Sequence, residues 1–170
     1  IASKPEQIEQ RLSRLTSFSE DMERRGKSST IRWLERGLYM PSPDEMTALA
    51  LSSEESVARI VRLRLADGEP IAIERASLPP DILPNPLIVE RSLYEVLEKS
   101  GVRPVRALQK ISAVNLSEAN AELLAVAPGD AGLSIERTSY LDTGRIVEFT
   151  QSIYRGDAYN FVAELRLAKE

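Results

Sequence analysis

The run Val57-Ala58-Arg59-Ile60-Val61-Arg62-Leu63-Arg64-Leu65-Ala66 constrains this chain more than any other. Residues two apart on a β-strand share a face, so the run reads as a strand with Val61, Leu63 and Leu65 on one side and Arg62 and Arg64 on the other. Asp67-Gly68 then supplies a turn, and residues 71–78 return as the second strand of a hairpin. The apolar set marks the face packed on a core, which leaves the arginine face to solvent or to a lined cleft. Two neighbouring guanidiniums repel each other unless an anion lies between them. The planar arginine fork matches phosphate and carboxylate oxygens with paired hydrogen bonds.

Hairpin parity divides the roles of the two arginines. With an odd number of turn residues, Arg62 lies opposite Glu74; with an even number, Glu74 falls among the leucines, at a desolvation cost. The odd register is therefore expected, with Arg62 leaning on Glu74 and Arg64 the freer anion ligand. The plainer alternative is a cross-strand ion pair contributing about 0.2–1 kcal/mol and nothing else.

Punctuation along the rest of the chain outlines an α+β domain. Residues 1–15 are polar apart from Ile8, Leu12 and Leu15 and read as a linker or short extended arm. Ser17-Phe18-Ser19-Glu20 has the form of a capping box opening a helix that Gly26 stops. A strand is expected over residues 28–40. Ser42-Pro43-Asp44-Glu45 opens a second helix, ending near Leu51, with Ser as cap and Pro at the first helical position. After a proline-rich loop, Ser92-Leu93-Tyr94-Glu95 starts a third helix that stops at Gly101. Residues 104–115 read as a strand and 117–126 as a helix. Strands follow near 132–141 and 146–155, joined at Asp142-Thr143-Gly144, and a last one near 160–167. A weak internal repeat links the hairpins. Arg62 and Arg137 each stand five residues before a turn aspartate, and the returning strands carry Glu74 and Glu148. If the repeat is real, two related strand pairs form one antiparallel sheet with helices on one face.

Composition removes whole classes of function. With 42% hydrophobic residues in 170, the chain can bury one domain's core. It has no histidine and no cysteine, which excludes a His-dependent triad and a zinc site of His or Cys ligands. No cofactor or metal is expected. The missing cysteine fits a reducing, cytoplasmic setting. A net charge of −4 offers no basic face for nucleic acid. No apolar run approaches the length of a membrane span.

Three further groups suit a polyhydroxylated anion. Ser92 and Tyr94 stand at a helix start, where backbone N–H groups attract anions, as do Thr16 and Ser17 at the first helix. Each serine could equally be an ordinary cap. Glu148 and Tyr154 share a strand face, where a carboxylate beside a phenol can read sugar hydroxyls; the alternative is a plain exposed strand face.

In this order the residues resemble the effector-binding (UTRA) domain of bacterial GntR-type transcription regulators, HutC-like branch. The resemblance rests on Leu15-Thr16-Ser17-Phe18-Ser19-Glu20-Asp21-Met22, Arg62-Leu63-Arg64-Leu65-Ala66-Asp67-Gly68-Glu69-Pro70, Ser92-Leu93-Tyr94-Glu95 and Tyr154-Arg155-Gly156-Asp157, and covers roughly residues 12–167. It implies a chorismate-lyase-like antiparallel sheet with helices packed on it, a homodimer, and a winged helix-turn-helix DNA-binding domain preceding this sequence. Residues 1–14 would then be the arm from that domain and 15–170 the effector-binding domain. The resemblance to amino-sugar-phosphate sensors implies a phosphate near Thr16, Ser17, Arg62, Arg64, Ser92 and Tyr94, and a sugar near Glu74, Glu148 and Tyr154. Leu15 departs from the aromatic residue of such sensors. The domain is expected to be a sensor of a small anionic effector with no membrane partner. Its rivals are a lyase on the same fold acting on an aromatic acid, and a dimerisation module with a vestigial cleft.

Overall fold

The hairpin forms, and its parity has an unexpected source. In a computed structural model, which describes residues 8–11, 22–24 and 26–168, Arg62 pairs directly with Glu74. The turn itself has an even count: Ala66 pairs with Glu69, and Asp67 and Gly68 take the positive φ values of 49° and 81° that a tight two-residue hairpin turn requires. The register then shifts between Arg64, opposite Ala72, and Leu65, opposite Pro70, leaving Ile71 as the extra residue of a β-bulge. That bulge restores the parity and keeps Glu74 away from the leucines.

The strands are β1 (Ile8–Arg11), β2 (Ser29–Tyr39), β3 (Val57–Ala66), β4 (Glu69–Leu78), β5 (Arg106–Asn115), β6 (Ala131–Tyr140), β7 (Ile146–Arg155) and β8 (Tyr159–Val162). The helices are α1 (Pro43–Leu49), α2 (Leu93–Lys99) and α3 (Glu118–Leu123), with a 3-10 turn at Pro86–Ile88. Each helix begins where its serine predicts. Ser42 makes the full capping box with Glu45, and Ser92 and Ser117 accept the backbone N–H groups of Glu95 and Asn120.

Strands β2-β3-β4-β7-β6-β5 form one six-stranded antiparallel sheet in that order. The internal repeat is visible as topology. β2-α1-β3-β4 and β5-α3-β6-β7 have the same element order, and their last strands, β4 and β7, meet in the middle of the sheet. The residue correspondence is looser: Glu74 opposes Arg62, whereas Glu148 opposes Ser139 and Arg137 opposes Thr150.

Helices on a single face are not what forms. On one face, Leu93, Tyr94 and Leu97 of α2 and Ile82, Leu83 and Val89 of the preceding loop pack on Ala58, Ile60, Ala76 and Leu78. On the other, Ala121 of α3 with the flanking Leu116 and Leu124 cover Val61, Leu63 and Ile73, and Leu49 of α1 meets Val57 and Phe149. Strand β3 is consequently buried on both faces, arginines included. Alternation distinguishes two faces; it does not say whether the polar one is wet.

Within the expected arm, residues 8–11 are extended and lie in a two-stranded sheet. β1 pairs in parallel with β8, Ile8 opposite Tyr159 through Arg11 opposite Val162. The last strand is accordingly shorter than the expected 160–167. Residues 22–24 are helical, and Met22 is buried with Ile71, Tyr154 and Tyr159. The cap expected at Ser17, and the candidate residues Thr16 and Ser17, lie outside the described residues.

Candidate functional site

The face covered by α2 carries a strip of polar residues between two apolar clusters. Register places the strip: Arg62 of β3 opposes Glu74 of β4, Glu74 opposes Ser152 of β7, and on β6 and β7 Arg137 opposes Thr150 and Ser139 opposes Glu148. Even-numbered positions of β3, β4 and β7 therefore share this face with Arg137 and Ser139. Ile60, Ala76, Tyr94 and Val147 close one end, and Met22, Ala72, Tyr154 and Tyr159 the other.

Arg62 and Arg64 are only 2% and 1% exposed, so the arginine face is a covered interior and not solvent. Glu74 Oε1 accepts from Nη2 of Arg62 and from Nη2 of Arg64 at 3.2 Å. The pairing of Arg62 with Glu74 is the one parity predicts. Arg64 is not the freer of the two, because the same carboxylate oxygen bridges both and the strand buries both. Arg62 also donates to the carbonyl of Arg91 at 3.5 Å, directly before α2, while its buried Nε has no hydrogen-bond acceptor among the described residues.

The electrostatics show what this crowding costs. Burial, and then the charge of Arg64, push the Arg62 guanidinium down to about 10. Burial would raise the Glu74 carboxyl, but the charges of Arg64 and Arg62 outweigh it and hold Glu74 at about 2. Two buried guanidiniums thus share one carboxylate oxygen.

The second half of the strip centres on Glu148. Its Oε1 accepts from the Tyr94 hydroxyl at 2.7 Å and the Ser139 hydroxyl at 2.6 Å, and its Oε2 from the Thr150 hydroxyl at 2.9 Å. Arg137 donates to the Tyr94 oxygen at 3.3 Å and to Gln109 Oε1 at 3.0 Å. Burial, and then the charge of Glu148, raise the Tyr94 phenol, which stays protonated and donates. Burial works against the Arg137 charge, yet Tyr94 and Glu148 together keep that charge favoured. The phenol on Glu148 is thus Tyr94, where the sequence paired Glu148 with Tyr154. Tyr154 stands at the far end of the strip, its ring 4.4 Å from that of Tyr159. Ser92 is buried as the cap of α2, with its hydroxyl 3.4 Å from the Glu95 N–H.

Residues 24–160 match the UTRA domain family. The chain belongs to the UTRA-domain family. Over 95% of its length it is 36% identical to the HTH-type transcriptional repressor NagR of Bacillus subtilis, covering 68% of that protein. It is 25% identical to the HTH-type transcriptional regulator GmuR of the same organism, covering 53% of it. A crystal structure of a GntR-family transcriptional regulator from Enterococcus faecalis superposes with a TM-score of 0.74 at 35% identity, over 80% of this chain and 100% of that one. The effector domain of PhnF from Mycobacterium smegmatis shares the fold, with a TM-score of 0.86 at 23% identity over 94% of this chain and 100% of that one. The chain is thus the effector domain of a GntR-family transcription regulator, with the antiparallel UTRA sheet the sequence anticipates, and not an enzyme.

The UTRA strip brings together six of the predicted site residues, Arg62, Arg64, Glu74, Tyr94, Glu148 and Tyr154, with Ser92 at the edge as the cap of α2. It also recruits Arg137, Gln109, Ser139 and Thr150, which no local motif marks. The repeat that aligns Arg137 with Arg62 carried the signal for the first of them. Among the described residues there is no cluster that could hold a metal ion, and no helix is long and apolar enough to cross a membrane.

A second buried ion cluster lies on the opposite face. Glu45, 1% exposed, accepts from Arg59 through Nε at 3.0 Å and through Nη2, from the Ser77 hydroxyl, and from the Ser42 N–H at 2.9 Å. Burial would raise its carboxyl, but these donors, Arg59 foremost, hold it at about 2. Both Glu45 and Glu74 start from an ordinary value of 4.5. As pH falls below that value the unfolded chain takes up protons that the folded one refuses, so the stabilisation is full above about 4.5 and is lost on the way to about 2. Urea unfolding at pH 6, 4 and 3 is expected to show a steep loss, on the order of 3 kcal/mol per carboxylate in the limit. A flat profile down to pH 3 would contradict the assignment.

Proposed function

We propose that this domain senses a small anionic metabolite, an amino-sugar phosphate, for a cytoplasmic, homodimeric repressor of the HutC-like branch. A winged helix-turn-helix domain outside this sequence would bind the operator. The observation that carries the reading is Arg62: a buried guanidinium beside a second one, with its charge disfavoured by burial and an Nε lacking an acceptor among the described residues. A phosphate bridging Arg62 and Arg64 restores the charge that burial disfavours and satisfies donors in the paired geometry arginine prefers. Similarity to a transcriptional repressor over 95% of the chain supports the regulatory half of the reading.

The ligand's anionic end sits over Arg62 and Arg64, beside Ser92, Tyr94, Thr16 and Ser17. Its hydroxylated end meets Glu148, with Glu74 between the two guanidiniums and Tyr154 closing the opposite end of the strip. Binding draws the arginine strand and α2 together, and the placement of the DNA-binding heads changes with it. The ligand must prefer one of the two arrangements, since equal affinity shifts nothing.

Calorimetric titration of this chain with glucosamine-6-phosphate and N-acetylglucosamine-6-phosphate tests the reading. Arg64→Ala should weaken the binding of whichever sugar phosphate is held by about 1.5 kcal/mol or more, the scale of a lost charged hydrogen bond. An unchanged affinity removes Arg64 from the site. No heat and no melting shift with any sugar phosphate removes that ligand class.

A further inference from the structure

The strip contains a cation that neither the sequence motifs nor the similarities assign a role. Arg137 lies directly opposite Gln109 in the β5–β6 register, and its Nε donates to Gln109 Oε1 at 3.0 Å, so the ladder fixes the base of the guanidinium. Its Nη1 donates to the Tyr94 oxygen at 3.3 Å. A phenol oxygen that accepts from a cation turns its own proton the other way, and here Glu148 Oε1 takes that proton at 2.7 Å. Ser139 and Thr150 also donate to Glu148, so donation along this chain of hydrogen bonds runs outward from Arg137, to Gln109 on one side and through Tyr94 to Glu148 on the other. Tyr94 belongs to α2 and Glu148 to β7, and this chain joins the two.

We propose that Arg137 is a positioning residue of the effector site, setting the Tyr94 hydroxyl and through it the placement of α2 against Glu148. The inference rests on the reading that this strip holds the ligand. Tyr94 and Glu148 are hydrogen-bonded neighbours in that site, and fixing both before the ligand arrives lowers the ordering cost of binding. Without Arg137 the Tyr94 oxygen loses the donor that fixes its orientation, while Glu148 keeps Ser139 and Thr150.

A double-mutant cycle on the 170-residue chain tests this, with Arg137→Gln, Tyr94→Phe and the pair, plus Arg137→Lys. Two quantities are read: urea stability without ligand, and calorimetric affinity for N-acetylglucosamine-6-phosphate. Arg137→Gln is expected to weaken affinity roughly tenfold, Tyr94→Phe comparably, and the double variant no more than the worse single one, because one residue acts through the other. Arg137→Lys, which keeps a donor for Tyr94, should recover part of the loss. Additive effects, or no loss in Arg137→Gln, overturn the inference. If the wild-type chain does not bind the sugar phosphate, the ligand reading fails, and the stability cycle then decides the positioning claim: coupling supports it and additivity overturns it. Should Arg137→Gln not fold, Arg137→Met takes its place in the cycle, with Arg137→Lys still the rescue.

Discussion

Glu74→Ala is expected to destabilise the domain by about 3–5 kcal/mol in urea unfolding, because it strands buried guanidiniums without their shared carboxylate. Arg62 and Arg64 have side chains 3% and 1% exposed, and both place an Nη2 on Glu74 Oε1. A surface pair would contribute about 1 kcal/mol or less; burial makes the difference. Part of the loss should be recoverable. Inorganic phosphate at millimolar concentration is expected to stabilise Glu74→Ala more than the wild type, because the anion takes the place the carboxylate leaves. A cost under about 1 kcal/mol would mean that the pair is screened and contributes little.

Glu45→Ala should cost a similar amount, about 3–5 kcal/mol, although Glu45 has no part in ligand binding. It is both the reciprocal member of the α1 capping box and the buried partner of Arg59, whose guanidinium also lies 4.9 Å from the Tyr39 ring centre. Ser42→Ala separates these roles, since losing the cap alone costs about 1 kcal/mol. Equal losses in the two variants would reduce Glu45 to a capping residue. Affinity for sugar phosphates should be unchanged in Glu45→Ala wherever the domain remains folded, because the cluster sits on the opposite face of the sheet.

The parts of this fold legible in the sequence are those with local causes. The strand Val57–Ala66 follows from its alternation to the residue, and the starts of α1, α2 and α3 follow from Ser42, Ser92 and Ser117. What depends on distant pairing was hidden. Nothing near Glu74 announces that β4 will lie against β7, so the meeting of Arg137, Tyr94 and Glu148 was not readable, although a spacing rule set Arg137 beside Arg62. The hairpin register came out as expected through a bulge at Ile71 and not through the turn length. Glu45 read as a cap alone, because its partner Arg59 is fourteen residues away on a neighbouring element. The parallel docking of Ile8–Arg11 on β8 joins the two ends of the chain and leaves no local trace.

The central claim is that Arg62 and Arg64 hold the anionic end of the effector. A crystal structure of this domain grown with N-acetylglucosamine-6-phosphate tests it most directly. Phosphate oxygens are expected within about 3 Å of both guanidiniums, with the sugar directed toward Glu148. A phosphate bound elsewhere, with Glu74 still bridging Arg62 and Arg64 and no ligand above them, would contradict it.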